Sequence, residues 1–139
     1  MIWTYRNEPL TEIPDGYVGF VYLITNLKTG QRYVGKKLFR FTRTRKVKGK
    51  KQRKQVASDW LSYYGSNKDL QEHVGALGEE NFRREILHLC RTKGECSYME
   101  SKEIFLRDAI ISDSYYNLWV SCKISRNHLP KIVDFPGAN

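Results

Sequence analysis

The stretch Gly19–Gly35, GFVYLITNLKTGQRYVG, decides how the rest of the chain is interpreted. It begins with a run rich in β-branched and aromatic residues, continues through polar turn residues to Gly30, and ends in a second short apolar run. This pattern predicts a β-hairpin. Tyr22 and Tyr33 lie eleven positions apart across the predicted turn. We therefore expect both phenols near one end or face of the strand pair.

The length and composition fit one globular domain, which we expect to occupy residues 1–139. Hydrophobic residues make up 40% of the chain, and no apolar run approaches the ~20 residues of a membrane span. The N-terminus lacks the basic start and apolar core of a secretory signal, so we expect no membrane association and a cytoplasmic location. The three cysteines form no CxxC pair, and with the nearby histidines they fit no zinc-finger spacing.

The positive charge is concentrated in one segment, Lys36–Lys54, which holds eleven of the 24 basic residues and no acidic one. The rest of the chain has 13 basic and 15 acidic residues. This distribution favours a phosphate-contacting arm and hence a nucleic-acid partner, although a solvated loop has the same composition. Lys48–Lys54 is interpreted as an exposed loop around Gly49. The predicted nucleic-acid contacts are Lys37, Arg40, Arg45, Lys46, Lys48, Lys50, Lys51, Arg53 and Lys54.

The pattern beyond the basic segment predicts a third strand and several helices. Asn67 is the expected N-cap of a helix over Lys68–Leu77 that Gly78 ends. The expected fold is therefore α/β (α+β), a three-stranded antiparallel sheet flanked by helices. The other predicted segments are an irregular leader over Met1–Asp15, a short helix over Val56–Tyr64, the third strand over Asn81–Cys90, a short strand over Leu118–Ile124 and a tail over Ser125–Asn139.

A last helix is predicted over Lys93–Ile111, and charged residues interrupt its apolar side. Glu100, Glu103 and Arg107 project from the middle of that side, where a core helix is normally apolar. Glu103 is expected to pair with Arg107 four residues later. Glu100 has two interpretations. It either closes a capping box with Ser97 or serves a functional site.

The hairpin resembles the signature of the GIY-YIG nuclease family, in particular its small free-standing, phage-type or mobile members. Gly19 and Tyr22 correspond to the first half of the signature, with one extra residue between them, and Tyr33-Val34-Gly35 correspond to the second. Further matches follow in the family's order, and the resemblance spans about residues 18–117. They are Arg43 for the catalytic arginine, with Arg40 and Arg45 as rivals, Glu100 with Ile104 for the metal-binding glutamate, and Tyr116-Asn117 for the closing asparagine.

The resemblance implies a divalent-metal-dependent DNA endonuclease. Glu100 would hold Mg²⁺ or Mn²⁺, Arg43 would offset phosphoryl charge, and Asn117 would hold the site together. Tyr22 would orient or deprotonate the attacking water beside Tyr33. A free phenol has a pKa near ~10, so a tyrosine base needs a nearby cation such as Lys36 or Lys37.

Two other functions remain open on the sequence alone. The first is a non-catalytic nucleic-acid-binding module in which the hairpin tyrosines serve only packing or base stacking. The second is a basic structural protein of a ribonucleoprotein. An inward glutamate is the feature that favours a nuclease over both, because a simple polyanion binder has no use for it. The oligomeric state, monomer or homodimer, is left open.

Overall fold

A five-stranded sheet forms the centre of the computed structural model, which describes residues 1–130. Its strands are β1 (Thr4–Tyr5), β2 (Glu8–Pro9), β3 (Gly19–Asn26), β4 (Arg32–Leu38) and β7 (Phe82–Cys90). Their spatial order is β2-β1-β7-β3-β4. Strand β3 pairs antiparallel with both β4 and β7, which confirms the predicted hairpin and third strand.

The expectation of only three strands is wrong, because the N-terminal leader adds two more. Strand β1 pairs parallel with β7, and β2 folds back antiparallel onto β1. Trp3 anchors this addition, since its side chain is buried and its Nε1 donates to the Trp60 carbonyl at 2.7 Å. The leader therefore completes the sheet.

The basic segment forms a second, separate hairpin. Strands β5 (Arg40–Val47) and β6 (Lys50–Ala57) pair antiparallel along eight residues each. They are joined by a two-residue turn, Lys48–Gly49, in which both φ angles are positive, at 52° and 76°. Such turns match the twist of paired strands, so the predicted exposed loop is instead a regular arm. We call Arg40–Ala57 the hairpin arm.

Two apolar clusters occupy the two faces of the sheet. The even-numbered residues of β3, such as Phe20 and Tyr22, pack on one face with Trp3 and Trp60. Val21 and Leu23 face the other way and pack against helix α2 (Lys93–Leu106), which contributes Cys96 and Ile104. Side chains alternate between the two faces along β3, and both faces are covered, so all eight residues of β3 are buried.

Helix α1 (Lys68–Leu77) has the predicted bounds, whereas helix α2 is shorter than predicted. Helix α1 begins at the predicted cap, because the Asn67 side chain accepts from the Leu70 N–H, and it ends at Gly78. Helix α2 ends at Leu106, five residues before the predicted Ile111, and both Leu106 and Ile111 are exposed.

Three other segments differ from the sequence prediction. The expected helix over Val56–Tyr64 is the end of β6 followed by a 3-10 turn at Trp60–Ser62. The expected strand over Leu118–Ile124 is not formed. In the predicted tail, Arg126–His128 forms a 3-10 turn, and residues 131–139 lie outside the described residues.

Candidate active site

The outer edge of β4 organises the site, because this strand ends the sheet and its outward backbone groups need partners. At Arg32 the backbone exchanges hydrogen bonds with Ser114 and Tyr116, at 2.9 and 2.7 Å. At Val34 the Asn117 side chain binds both groups, accepting from the N–H at 3.0 Å and donating to the carbonyl at 2.8 Å. Asn117 is therefore buried and holds the following segment against the sheet.

Glu100 takes the next position along this edge. In an edge strand, every second residue points its backbone groups away from the sheet, so those of Lys36 come next after those of Val34. The Lys36 backbone hydrogen-bonds the Glu100 carboxylate. Burial raises the pKa of Glu100 above its ordinary value, while the positive charge of Lys36 and this hydrogen bond oppose the rise. Within residues 1–130 no cationic side chain forms an ion pair with Glu100.

The capping interpretation of Glu100 is wrong, because α2 starts earlier. Its N-cap is Thr92, whose hydroxyl accepts from the Glu95 N–H at 3.0 Å. The Ser97 hydroxyl instead accepts from Lys36 Nζ at 2.7 Å. Glu100 thus lies in the second half of the helix with its carboxylate free of any capping role. The predicted pair of Glu103 with Arg107 is confirmed at 2.9 Å.

Tyr22 reaches this edge from the other face of the sheet, and it can do so because its β4 partner is glycine. Tyr22 pairs with Gly35 in the register, and a Cβ at Gly35 would overlap the Tyr22 hydroxyl and ring. The phenol therefore lies across Gly35. With only 1% of its side chain exposed, burial raises the pKa of Tyr22 well above its ordinary value, and the neighbouring Tyr63 and Tyr33 raise it further.

The expected activation of Tyr22 by lysine is consequently wrong for the protein alone. Strand alternation sends Lys36 to the α2 face, where it bonds Ser97. Lys37 points to the other face, but its ammonium pairs with Asp59 at 2.6 Å and lies 4.0 Å from the centre of the Tyr63 ring. Both lysines thus have other partners, and Tyr22 is a neutral phenol at neutral pH.

Tyr33 and Tyr63 complete a cluster of phenols around Tyr22. Their ring centres lie 6.1 and 6.0 Å from that of Tyr22. Tyr33 shares a hydrogen bond of 3.2 Å with the Ser66 hydroxyl, and burial raises its pKa. The sequence placed Tyr33 here but not Tyr63 or Ser66, which come from the connection between β6 and α1. The adjacent pair Tyr63-Tyr64 before Gly65 was the available signal.

Two of these phenols, those of Tyr22 and Tyr33, line a polar cleft of about 360 Å³ together with Lys36 and Glu100. The structure therefore brings together four of the predicted site residues, namely Tyr22, Tyr33, Lys36 and Glu100. Asn117 lines an adjoining recess that also contains Glu100 and Tyr33. The remaining residues that line the cleft, none of which the sequence singled out, are Ser66, Trp119 and Ser121.

Arg43 does not line this cleft, because it lies on β5 in the hairpin arm. Its guanidinium is 5.2 Å from the centre of the Phe41 ring, and Lys37 Nζ lies 5.0 Å from the same ring. The face of the arm that carries Arg43 and Arg45 thus continues towards the tyrosine cluster, whereas alternation puts Arg40 on the opposite face. A catalytic role for any of the three stays a prediction.

Two further properties of the described residues bear on function. No group of three or more His, Cys, Asp or Glu residues in 1–130 could hold a metal ion, so Glu100 is a lone carboxylate at the cleft. In the same range, neither helix has the length and apolarity that crossing a bilayer requires. The predicted cytoplasmic location stays a prediction.

Comparison with known proteins identifies the family. Residues 3–120 match the family model described as "Putative endonuclease segE, GIY-YIG domain". A curated relative from Enterobacteria phage T4, "Putative endonuclease segE", is 35% identical over 101 residues, which is 71% of this chain. The chain spans about 40% of the length of that relative. No solved structure matches significantly. The family match covers the hairpin, Glu100 and Asn117 together, and the chain therefore belongs to the phage-type GIY-YIG endonuclease family.

Proposed function

We propose that this chain, as a single domain over residues 1–139, is a DNA endonuclease that hydrolyses phosphodiester bonds with a divalent metal. The observation that carries the proposal is the Glu100 carboxylate, half-buried in the cleft without an ion-pair partner among residues 1–130. A half-buried carboxylate without an ion pair destabilises the fold, and a bound cation would offset that cost. A protein that only grips polyanions gains nothing from it.

The donor set fits Mg²⁺ or Mn²⁺. These hard cations take carboxylate oxygens and fill their other positions with water and substrate phosphate, so one glutamate suffices. Glu100 would hold the ion, which would supply charge neutralisation at the phosphoryl oxygens when bound. Asn117 fixes its own segment to the edge of β4 at Val34, two residues before the Lys36 backbone that hydrogen-bonds the carboxylate.

The tyrosines would position the reacting groups rather than remove a proton. Water attacks phosphorus and loses a proton to solvent, while the bond to the leaving oxygen breaks and that oxygen takes up a proton from solvent. Because burial raises the pKa of Tyr22, its phenol stays neutral and acts through hydrogen bonds to the water or the phosphate. Tyr33 and Tyr63 hold its ring in place, and Lys36 adds positive charge at the same cleft.

The hairpin arm would bind the DNA backbone. The nine cations of the arm, carried on a regular pair of strands, make a surface suited to phosphate contacts. On this scheme Arg43 offsets phosphoryl charge, while Arg40, Arg45, Lys46, Lys48, Lys50, Lys51, Arg53 and Lys54 bind phosphates. The phosphate contact predicted for Lys37 is not retained, because its ammonium pairs with Asp59 at 2.6 Å and its side chain is only 11% exposed. The arm is also the observation that favours a second candidate, a non-catalytic nucleic-acid-binding module.

A plasmid assay separates the two candidates. Supercoiled DNA should be nicked or linearised with Mg²⁺ or Mn²⁺ and left intact in excess chelator. Glu100→Gln should abolish cleavage, whereas Glu103→Gln, on the same helix but paired with Arg107, should retain it. Undiminished cleavage in chelator would exclude the metal mechanism. DNA binding without cleavage of any substrate would favour the binding module.

A further inference from the structure

The three tryptophans of this chain have very different surroundings. Trp3 and Trp60 are 1% and 2% exposed and pack in the core. Trp119 is 74% exposed. A tryptophan ring offers a large flat apolar surface, and Trp119 presents it at the lining of the cleft that holds Glu100 and Lys36. This position, together with its exposure, makes the ring available to a ligand in the cleft.

Trp119 is exposed but not loosely attached. Two residues before it, the Asn117 amide is bonded to both backbone groups of Val34. One residue after it, Val120 packs against the core cluster under α2. The backbone is thus held on both sides of the ring. A ring presented from a fixed backbone loses little conformational entropy when it binds, as in preorganised sites.

The surroundings of the ring define the ligand. Trp119 lines the cleft together with Lys36, Ser66, Glu100 and Ser121. These neighbours are charged or hydroxylic, so the ring is a flat apolar face within a polar cleft. A protein partner would need a more continuous apolar core. A nucleic-acid strand alternates phosphates with aromatic bases and complements both parts of the cleft.

We propose that Trp119 is a base-stacking platform for the strand that is cut, engaging a nucleobase next to the phosphate bound at Lys36. The inference rests on the proposed DNA endonuclease function and adds a substrate-positioning residue to it. The base must leave its own stack to reach the ring, so single-stranded or locally opened DNA should bind best. Stacking is tolerant of sequence, because every base has a π-face.

Binding of two oligonucleotides tests this directly. The probes are a fluorescein-labelled 20-nucleotide oligothymidine and a control of equal length in which every base is replaced by an abasic analogue. Affinities are measured by anisotropy in excess chelator, so that no strand is cut. Trp119→Ala should weaken binding to oligothymidine by about 5-fold to 100-fold, and Trp119→Phe by less. Leu118→Ala is the matched control, because Leu118 is the adjacent residue and is also 74% exposed.

Tryptophan fluorescence gives a second readout that does not depend on affinity. Since Trp3 and Trp60 are buried, acrylamide should quench mainly Trp119, and oligothymidine should shield it whereas the abasic strand should not. Equal losses of affinity for both strands on Trp119→Ala, or unchanged quenching, would overturn the inference. Failure of the unaltered protein to bind DNA would overturn the proposed function and this inference together. DNA binding that Trp119→Ala leaves unchanged would overturn the inference alone.

Discussion

Replacing Gly35 by alanine should disable the site through Tyr22, without removing any reactive group. A Cβ at this position would overlap the Tyr22 hydroxyl oxygen and Cζ, and would lie 3.0 Å from Cε1, where ordinary contact begins at 3.4 Å. The Tyr22 ring cannot move away freely, because Trp3, Phe20, Tyr33 and Tyr63 surround it. The phenol must therefore shift by about 1 Å, or the strand must bend.

Both consequences have a magnitude. Overpacking a filled site costs about 1–3 kcal/mol, which for a chain of this size lowers the melting temperature by roughly 3–12 °C. A displacement of about 1 Å in a catalytic group costs about 10²-fold in turnover. Gly35→Ala should slow cleavage much less in a Tyr22→Phe background than in the unaltered protein, because both changes act on the same phenol.

The assay is thermal unfolding together with plasmid cleavage, and the chain supplies its own control. Gly75 lies in α1, and a Cβ added there would have nothing within 4 Å, so Gly75→Ala should be neutral or stabilising. Cleavage by Gly35→Ala within about 3-fold of the unaltered rate, or a melting temperature equal to that of Gly75→Ala, would refute the reasoning. The stability comparison stands whatever the substrate is.

Three other predictions concern the cleft and the arm. Glu100→Gln should abolish cleavage, keep DNA binding and raise the melting temperature at neutral pH. Burial raises the pKa of Glu100, so the folded protein binds the proton first on acidification, and the gain should shrink as the pH falls through that pKa. Tyr22→Phe should slow cleavage by about 10-fold to 10²-fold with an unchanged pH profile between pH 7 and 9, since a pH-dependent loss would mean that the phenol ionises. Neutralising five cations near the arm tip should flatten the dependence of log K on log salt by about 0.9 for each phosphate that the arm no longer neutralises, while Arg43→Ala should keep affinity and lose rate. These five are Lys48, Lys50, Lys51, Arg53 and Lys54. An unchanged salt slope would contradict the arm's proposed role.

Local signals in the sequence were sufficient for the central hairpin, the third strand and α1. The turn residues before Gly30 and the N-cap Asn67 form hydrogen bonds only with residues a few positions away, so their effect can be predicted without knowing the fold. Strand β1 could not be predicted in this way. It has two residues, and its partners Glu85 and Ile86 lie about eighty positions later in the chain.

The prediction of an exposed loop over Lys48–Lys54 is wrong, because the charge of this segment is a stronger signal than its strand pattern. Eleven cations in Lys36–Lys54 are typical of a solvated loop. The signals for strands were weaker but present. Phe41, Val47 and Val56 recur at positions that the register puts on one face, and a glycine follows Lys48 at the turn. A flexible charged loop and a charged hairpin differ mainly in such alternation.

Strand alternation explains both why Tyr22 lies beside Tyr33, as predicted, and why, contrary to expectation, neither Lys36 nor Lys37 activates its phenol. Period-two alternation brings Tyr22 and Tyr33 to one face, and it also separates Lys36 from Lys37 and sends each to a different partner. Both lysines directly follow Gly35, the partner of Tyr22 in the register, but neither ammonium lies where it would lower the pKa of the phenol. Burial, which depends on Trp3 from the leader and Tyr63 from a later connection, could not be derived from the hairpin alone.

Lys37 links the arm to the cleft. Its ammonium pairs with Asp59 just beyond the end of β6, and it lies against the rings of Phe41 on the arm and Tyr63 beside Tyr22. The arm therefore contacts the tyrosine cluster through Lys37, on the face of β4 opposite to that of the Lys36 side chain. Glu100 approaches the same strand from the α2 side, where the backbone of Lys36 hydrogen-bonds its carboxylate. Two adjacent residues of β4 thus connect the arm and the carboxylate to one site, because alternation sends their side chains to opposite faces.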